Sequence, residues 1–381
     1  MPTGLRASYS DSNVNLRSIA DTVFMIDWKQ APLLNLFGID AKNVNKFDIM
    51  NFPATKVEWV EDTMSPMATT LNGAHNNSVT TINVAAGTGV YFRQGDIILI
   101  DSEQMIVTSV STDALTVATR PYGSTSAASH SDTAAIKILT RAMPEGSNYV
   151  TGHTTATSQP YNYAQILSEA VSASKTAVAI KKIAIEDELD YHVAKLFADN
   201  GRAGSLAQRL ANTFYYGQRV QRTSSVYGSM GGFKTFVTTN VTNLSSASLQ
   251  KSDIHSLIRK IRDAGGSPTD LIAGSWIIEK ITAMYEGMIT MDQDQQLGGS
   301  KITKIMTPHG EVNVVYDWMC PAGELYIVDR NKVGWLPVRP FGLSKIAEQG
   351  DFYVTDVVGE YTLLVANDKA HGYLYGASTN S

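Results

Sequence analysis

One apolar stripe constrains this chain more than any other feature. Stepping by 3.6 residues from Leu189 meets Val193, Leu196, Asn200, Ala203, Ala207, Leu210 and Phe214, and the phase survives the DNGRAG interruption. The spacing predicts a single long helix from about 184 to 216, roughly 50 Å in length at 1.5 Å per residue. Gly201 and Gly204 each cost about 1 kcal/mol relative to Ala in such a helix. They fall where the stripe is thinnest, at Asn200 and Ala203, which predicts a bend at that point.

The helix opens with ELDYHVAKL, where Glu188 and His192 stand four apart and share a face, the spacing from which metal and acid–base sites are often built. Both lie about 100° to one side of the stripe, on the flank of the helix. A metal site needs a third and usually a fourth ligand. His75, His130, His153, His255, His309 and His371 form neither an HExxH motif nor any close pair along the chain. The flank reading therefore prevails, with Glu188 and His192 as surface.

Other chemistries find no better footing. There is no GxSxG elbow, no GxxxxGKS/T loop and no GxGxxG, and the GTG at 87–89 lacks a third glycine. Asp292, Asp294 and Gly298 outline a calcium loop with the glycine one place late and no closing Glu. Cys320 has no basic neighbour to activate it. Tyr161, Tyr163, Tyr215 and Tyr216 read as packing. No catalytic, cofactor-binding or metal-binding residue is expected, and the chain is read as no enzyme.

Around the helix the text is mixed. Residues 1–50 are polar apart from the burst PLLNLFGI and read as an arm. In FPATKVEWVEDTM, Val57 and Trp59 alternate with Lys56 and Glu58 as in a half-buried strand. Between 73 and 139 the runs TTINVAAG, GDIILID, EQMIVTSV, DALTVATR and AAIKIL are short, β-rich and divided by turns, with a tight hairpin at Asp101–Ser102–Glu103. This is a small all-β module. Residues 140–174 read as extended and return antiparallel to 55–61, which makes the module an insertion at the tip of a two-stranded excursion. SDIHSLIRKIRDAGG is an amphipathic helix started by Ser252 or Asp253 and ended by Gly265. DLIAG is a strand, SWIIEKITAMYEGM a helix, and KITKIMTP, EVNVVYDW, ELYIVDR and VGWLPV are strands. The last piece, 350–376, is again strand, and it must join a sheet already built. The fold class is α+β.

Composition narrows the partners. A net charge of −5 with only 18% charged residues provides no basic stripe, so a grip on nucleic acid is not this chain's main work. A single cysteine forms no intrachain disulfide and suits a reducing compartment. No run of eighteen apolar residues occurs, and Asp11, Asp21 and Asp27 sit in the first thirty positions, so neither a membrane span nor a signal peptide is expected.

The order of these pieces resembles the major capsid proteins of tailed phages. The likeness rests on EWVED (58–62) on the outgoing strand, DELDY (187–191) at the head of the helix, Gly231, Gly232 and Phe236 in the GGxxxF segment, and the closing GDFYVTDVVGEYTLLVANDKAHGYLYG. It covers the chain except the β module. It implies the Hong Kong 97-type coat-protein fold. The parts would be an N-terminal arm at 1–50, the outgoing strand of an extended loop at 51–72, an inserted β domain at 73–139 and the loop's return at 140–175. A peripheral domain with a spine helix would span 176–235, an axial domain 236–340, and C-terminal strands of the peripheral domain 341–381.

The same resemblance implies a virion protein assembled in the host bacterial cytoplasm. Its copies would close as hexamers and pentamers into an icosahedral or prolate head. A separate scaffolding protein, a portal and minor capsid proteins would be partners, and packaged double-stranded DNA would be touched only non-specifically, with no membrane and no cofactor. The glycine bend would serve shell expansion. Leu33, Leu34, Leu36, Phe37 and Trp59, on an arm and a loop with no evident home inside one subunit, are the expected assembly contacts. The rival classes are a tail-associated or adhesin-type structural protein, which predicts repeats the sequence lacks, and a hydrolase, which needs a convergent polar constellation.

Overall fold

The computed structural model describes residues 31–38, 54–63, 66–146, 157–180, 188–196, 205–285, 304–345 and 350–379. The chain divides into two compact units, one from 1–59 with 160–381 and one from 60–159. In the first, Pro32 presets the opening turn of α1 (Pro32–Phe37), where no N–H is needed, and Gly38 at φ +78° ends it. That turn and a half brings Leu33, Leu34 and Phe37 to one side, where all three are buried, with Leu36 half-buried beside them. Phe37 lies 5.7 Å from the Phe214 ring and 5.9 Å from Trp335. Trp59, just after β1 (Lys56–Glu58), packs on Phe236 at 5.5 Å and beside Leu336 and Leu364. The premise that these five side chains lack a home within the subunit is thus corrected: helix formation by the PLLNLF burst and the alternation of β1 place them against its own core.

The 60–159 unit is a six-stranded sheet in the order β2-β7-β4-β5-β6-β3. Its strands are β2 (Ala68–Thr70), β3 (Thr81–Asn83), β4 (Asp96–Ile100), β5 (Glu103–Ser111), β6 (Ala114–Val117) and β7 (Ala135–Arg141), with every neighbour antiparallel. Asp101 at φ +53° turns the tight β4–β5 hairpin. Leu71 bridges to Val84, so the continuations of the two edge strands meet and the sheet closes on itself, which leaves little free edge to aggregate. Ile82, Ile98, Ile100, Met105, Leu115 and Ile136 fill its interior. Strand β2 lies ahead of residue 73 because β7 needs a partner on its outer side.

In the first unit, β8 (Tyr161–Tyr163) returns antiparallel to β1, with Val57 opposite Asn162. The chain continues through β9 (Gln165–Ser174), α2 (Lys175–Ala179), α3 (Glu188–Leu196), α4 (Ser205–Tyr216) and α5 (Phe233–Phe236). Ser174 caps α2 by accepting from the Ala177 N–H. Then come β10 (Val241–Asn243), α6 (Lys251–Asp263), β11 (Asp270–Ala273), α7 (Ser275–Tyr285), β12 (Lys304–Thr307), β13 (Gly310–Tyr316) and β14 (Leu325–Val328). The chain closes with β15 (Val333–Lys345), β16 (Phe352–Val365) and β17 (Gly372–Tyr375).

Helices α3 and α4 pack on β9, which lies in the three-stranded sheet β15-β16-β9. Val193, Leu196, Ala207, Leu210 and Phe214 of the predicted stripe are buried. Residues 197–204, with Gly201, Gly204 and the continuity of one long helix, lie outside the described residues, as do Asp292, Asp294 and Gly298. The second sheet runs β10-β17-β14-β11-β13-β12 and separates two cores. Period-two alternation sends Leu271, Ala273, Leu325 and Ile327 toward α6 and α7, and Ile272, Tyr326 and Val328 toward α4.

Two expectations change here. The C-terminal strands do not stay together: β16 joins β9, whereas β17 sits between β10 and β14, because its Leu374 completes the α6-facing core. Helix α6 begins at Lys251 with Gln250 as its cap. Asp253 acts from inside the first turn, its carboxylate accepting from the Gln250 N–H at 2.9 Å in a capping box.

Candidate functional site

His192 of the sequence-predicted surface pair lies where α3 meets the sheet. Glu188 opens α3, and His192, half-buried, sets its ring 5.4 Å from that of Tyr191. His192 and Lys195 share a shallow cleft of about 330 Å³ with Ala170, Val171, Ser172, Leu196 and Ser205. That lining holds one imidazole, one ammonium and two hydroxyls, and the Ser205 hydroxyl donates to the Glu169 carboxylate at 3.3 Å. Among the described residues no group of three His, Cys, Asp or Glu could hold a metal ion.

Cys320 is buried, and burial, with Asp317 and Glu324 nearby, pushes its thiol far above the usual range, which makes it a poor nucleophile. Asp317 is also buried and its carboxyl is pushed up by burial, against which the Met319 N–H at 3.0 Å and the Tyr215 hydroxyl at 2.7 Å pull it down. Tyr161 and Tyr163 pack edge to face at 5.5 Å, and Tyr215 is buried beside Tyr326.

What the structure concentrates instead is polar clamping at two places. At the root of the excursion, fully buried Asn162 uses all four of its hydrogen-bonding positions. Its Nδ2 donates to the carbonyls of Leu363 at 2.7 Å and Gly231 at 3.1 Å, and its Oδ1 accepts from the N–H groups of Gly231 at 2.8 Å and Tyr163 at 2.9 Å. One side chain thereby ties β8, β16 and the approach to α5 together. Arg219 donates to the Tyr161 carbonyl at 3.0 Å and lies 4.4 Å from the centre of the Tyr161 ring, and Lys56 stands 4.3 Å from the same centre. Arg222 reaches Glu360 at 3.0 Å and the Ala164 carbonyl at 3.2 Å. The hint in the sequence was a polar Asn at the inward position of a strand between two tyrosines.

The second clamp lies within the 60–159 unit. Arg120 grips Glu103 through two bonds, Nε to Oε1 at 2.8 Å and Nη2 to Oε2 at 2.7 Å, with both side chains buried. The Ala128 N–H donates to the same carboxylate at 2.9 Å, and His130 Nε2 lies 3.1 Å from it. Arg120 also reaches the carbonyls of Ala128 at 2.6 Å, Val79 at 3.2 Å and Asn76. Burial alone would raise the Glu103 carboxyl, but Arg120, the Ala128 N–H and His130 hold it down at about 2. His130 and His75, 55 positions apart in sequence, face each other across an antiparallel bridge. The scattered histidines thus gain a pairing that only strand register creates.

A third buried group makes the fold pH-dependent. His371 donates from Nε2 to the Ala366 carbonyl at 3.0 Å and accepts at Nδ1 from the Asp329 N–H at 3.2 Å. Burial pushes its imidazole down to about 4 from the ordinary 6.5. The unfolded chain therefore binds the proton first, and stability falls as pH drops from about 6.5 to about 4, by about 3 kcal/mol in all. Asp317, whose carboxyl is raised, acts with the opposite sign. Urea midpoints at pH 7 and pH 4.5 should differ clearly less in His371→Gln than in the parent; an equal difference would assign the loss to other groups.

The described residues thus combine a buried thiol with two buried polar joints. A sequence model described as SU10 major capsid protein matches residues 4–378. No curated protein matches the sequence. Among solved structures, the capsid asymmetric unit of cyanophage A-1(L) is similar at 11% identity and a TM-score of 0.53, covering 98% of this chain and 100% of that one. The capsid of a native GTA particle gives 10% identity and 0.52, over 98% and 100%. A structure from Mycobacterium phage Ogopogo gives 10% and 0.50, over 98% and 99%. At these identities the likeness is one of fold, and the α+β architecture is that of the Hong Kong 97-type phage coat proteins.

Proposed function

The chain belongs to the SU10 major capsid protein family, and from that membership we propose that it is the coat subunit of a tailed-phage head. Copies of it close as hexamers and pentamers into an icosahedral or prolate shell around the genome. The observation that carries this is the family match over residues 4–378. The buried Cys320 thiol, held protonated by its surroundings, fits a structural role. In this reading the shell forms in the host cytoplasm with a separate scaffolding protein and a portal, and the net charge of −5 limits packaged DNA to incidental contact. The 60–159 unit is the inserted domain on the extended loop, α3 and α4 belong to the spine, the second sheet is axial, and Gly201 and Gly204 are the soft point for expansion.

The test is particle size. Purified chain, alone or expressed with its scaffolding protein, is expected to give closed shells by sedimentation and negative-stain microscopy; monomers or trimers under both conditions would overturn the coat assignment. The arm is tested separately by removing residues 1–30, because core side chains start at Ala31 among the described residues. A folded subunit that no longer closes shells is the expected outcome, whereas cutting at residue 40 deletes Leu33, Leu34 and Phe37 and should destabilise the subunit itself.

A further inference from the structure

The segment from Gly217 to Gly232, between α4 and α5, is a tight hairpin whose two ends meet closely. A Cβ on Gly232 would lie 2.5 Å from the Thr213 carbonyl oxygen, and one on Gly217 would lie 2.6 Å from the Gly232 nitrogen. Val220 and Ser229 exchange both backbone hydrogen bonds at 3.0 and 3.1 Å. Thr223 closes the tip: its N–H donates to the Val226 carbonyl at 3.1 Å, and its hydroxyl accepts from the Val226 N–H at 3.1 Å. Ser229 braces the stem through a 2.6 Å bond to the Gln218 carbonyl. This well-tied loop displays its largest side chain to solvent, Tyr227 at 97% exposure, with Val226 at 44% beside it.

We propose that the Val226–Tyr227 tip is a contact between copies of this chain in the shell, with Tyr227 as its anchor; the proposal rests on the coat-subunit reading. A tyrosine on a well-tied backbone has only two side-chain torsions to fix on docking, and Tyr is among the residues that dominate interface energetics. From Thr223 to Gly232 the sequence TSSVYGSMGG carries no charge, so the tip can meet a surface of the same negatively charged chain without like-charge repulsion. Its size selects the partner. Two such side chains cover on the order of 300 Å², far below the roughly 1,200 Å² that a free-standing complex needs. A contact this small is useful only where many others already hold the partner in place, which is the situation of a subunit among identical copies.

Tyr227→Ser tests this without endangering the fold, because the removed ring touches almost nothing within the chain. Its thermal midpoint should equal the parent's, while the concentration needed for shell closure should rise about tenfold or more. Tyr227→Phe should restore most of the loss. A photoreactive benzoylphenylalanine at position 227, activated in assembled shells, should yield covalent dimers of this chain. Closure of Tyr227→Ser at the parent's concentration overturns the proposal, and so does a crosslink to a different protein. Failure of the parent chain to form shells removes the coat reading itself, so the two failures are told apart.

Discussion

Replacing Glu103 with Gln is expected to lower the stability of the 60–159 unit by about 3–5 kcal/mol, because it keeps the shape and removes the charge that a buried guanidinium needs. Arg120 would then stand buried without its counter-ion, still pinned by the Asn76, Val79 and Ala128 carbonyls. For a unit of this size such a loss corresponds to a fall of roughly 15 °C or more in its thermal midpoint. Hydrogen exchange in β4 and β5 of the full chain reads the effect where it occurs. The double replacement Glu103→Leu with Arg120→Met should recover much of the loss, since a well-packed apolar pair is often as stable as a buried ion pair. A loss below about 1 kcal/mol in the single variant would mean that water reaches the pair.

The same pair fixes an acid limit for this unit. The Glu103 carboxyl is held at about 2, below its ordinary 4.5. Its contribution is complete above about 4.5 and disappears as pH falls through that window toward 2.

How much of this was legible in the sequence depends on the range of the interactions. The buried faces of α3 (Val193, Leu196) and α4 (Ala207, Leu210, Phe214), the α6 face of Ile254, Leu257, Ile258 and Ile261, and the β4–β5 hairpin are local, and each stands where its periodicity or turn chemistry places it. The antiparallel pairing of β8 with β1 was also expected, from the extended character of 140–174. What escaped is non-local. Asn162 is a clamp only because residues 231 and 363 come to it, and Glu103 is buried only because Arg120 and His130 arrive from the connection between β6 and β7. A carboxylate in a turn-flanking position reads as solvent-facing until its partners are known. PLLNLF was read as a sticky arm because a six-residue burst shows too few turns to betray one buried face. The C-terminal strands were read as one group because nothing in their alternation says which of two sheets each will enter.

Replacing Asn162 with Ala is expected to cost the other unit about 4 kcal/mol. The substitution strands the N–H and the carbonyl of Gly231, the Tyr163 N–H and the Leu363 carbonyl, each of which has lost a buried partner. A buried polar group left unsatisfied costs about 1–3 kcal/mol, and some relaxation or water entry reduces the sum of four. Asn162→Asp should be worse, because a carboxylate would then face two carbonyl oxygens where the amide donated. The effect should be confined: every partner of Asn162 lies in the unit of residues 1–59 and 160–381, so exchange in β4 and β5 should be unchanged while that in β9 and β16 accelerates. Combined with Glu103→Gln, the two losses should add within about 0.5 kcal/mol, as they do for sites that share no partner. Acceleration of β4 and β5 by Asn162→Ala would show that the excursion depends on its root for stability as well as for attachment, and the two clamps would then have to be treated as one.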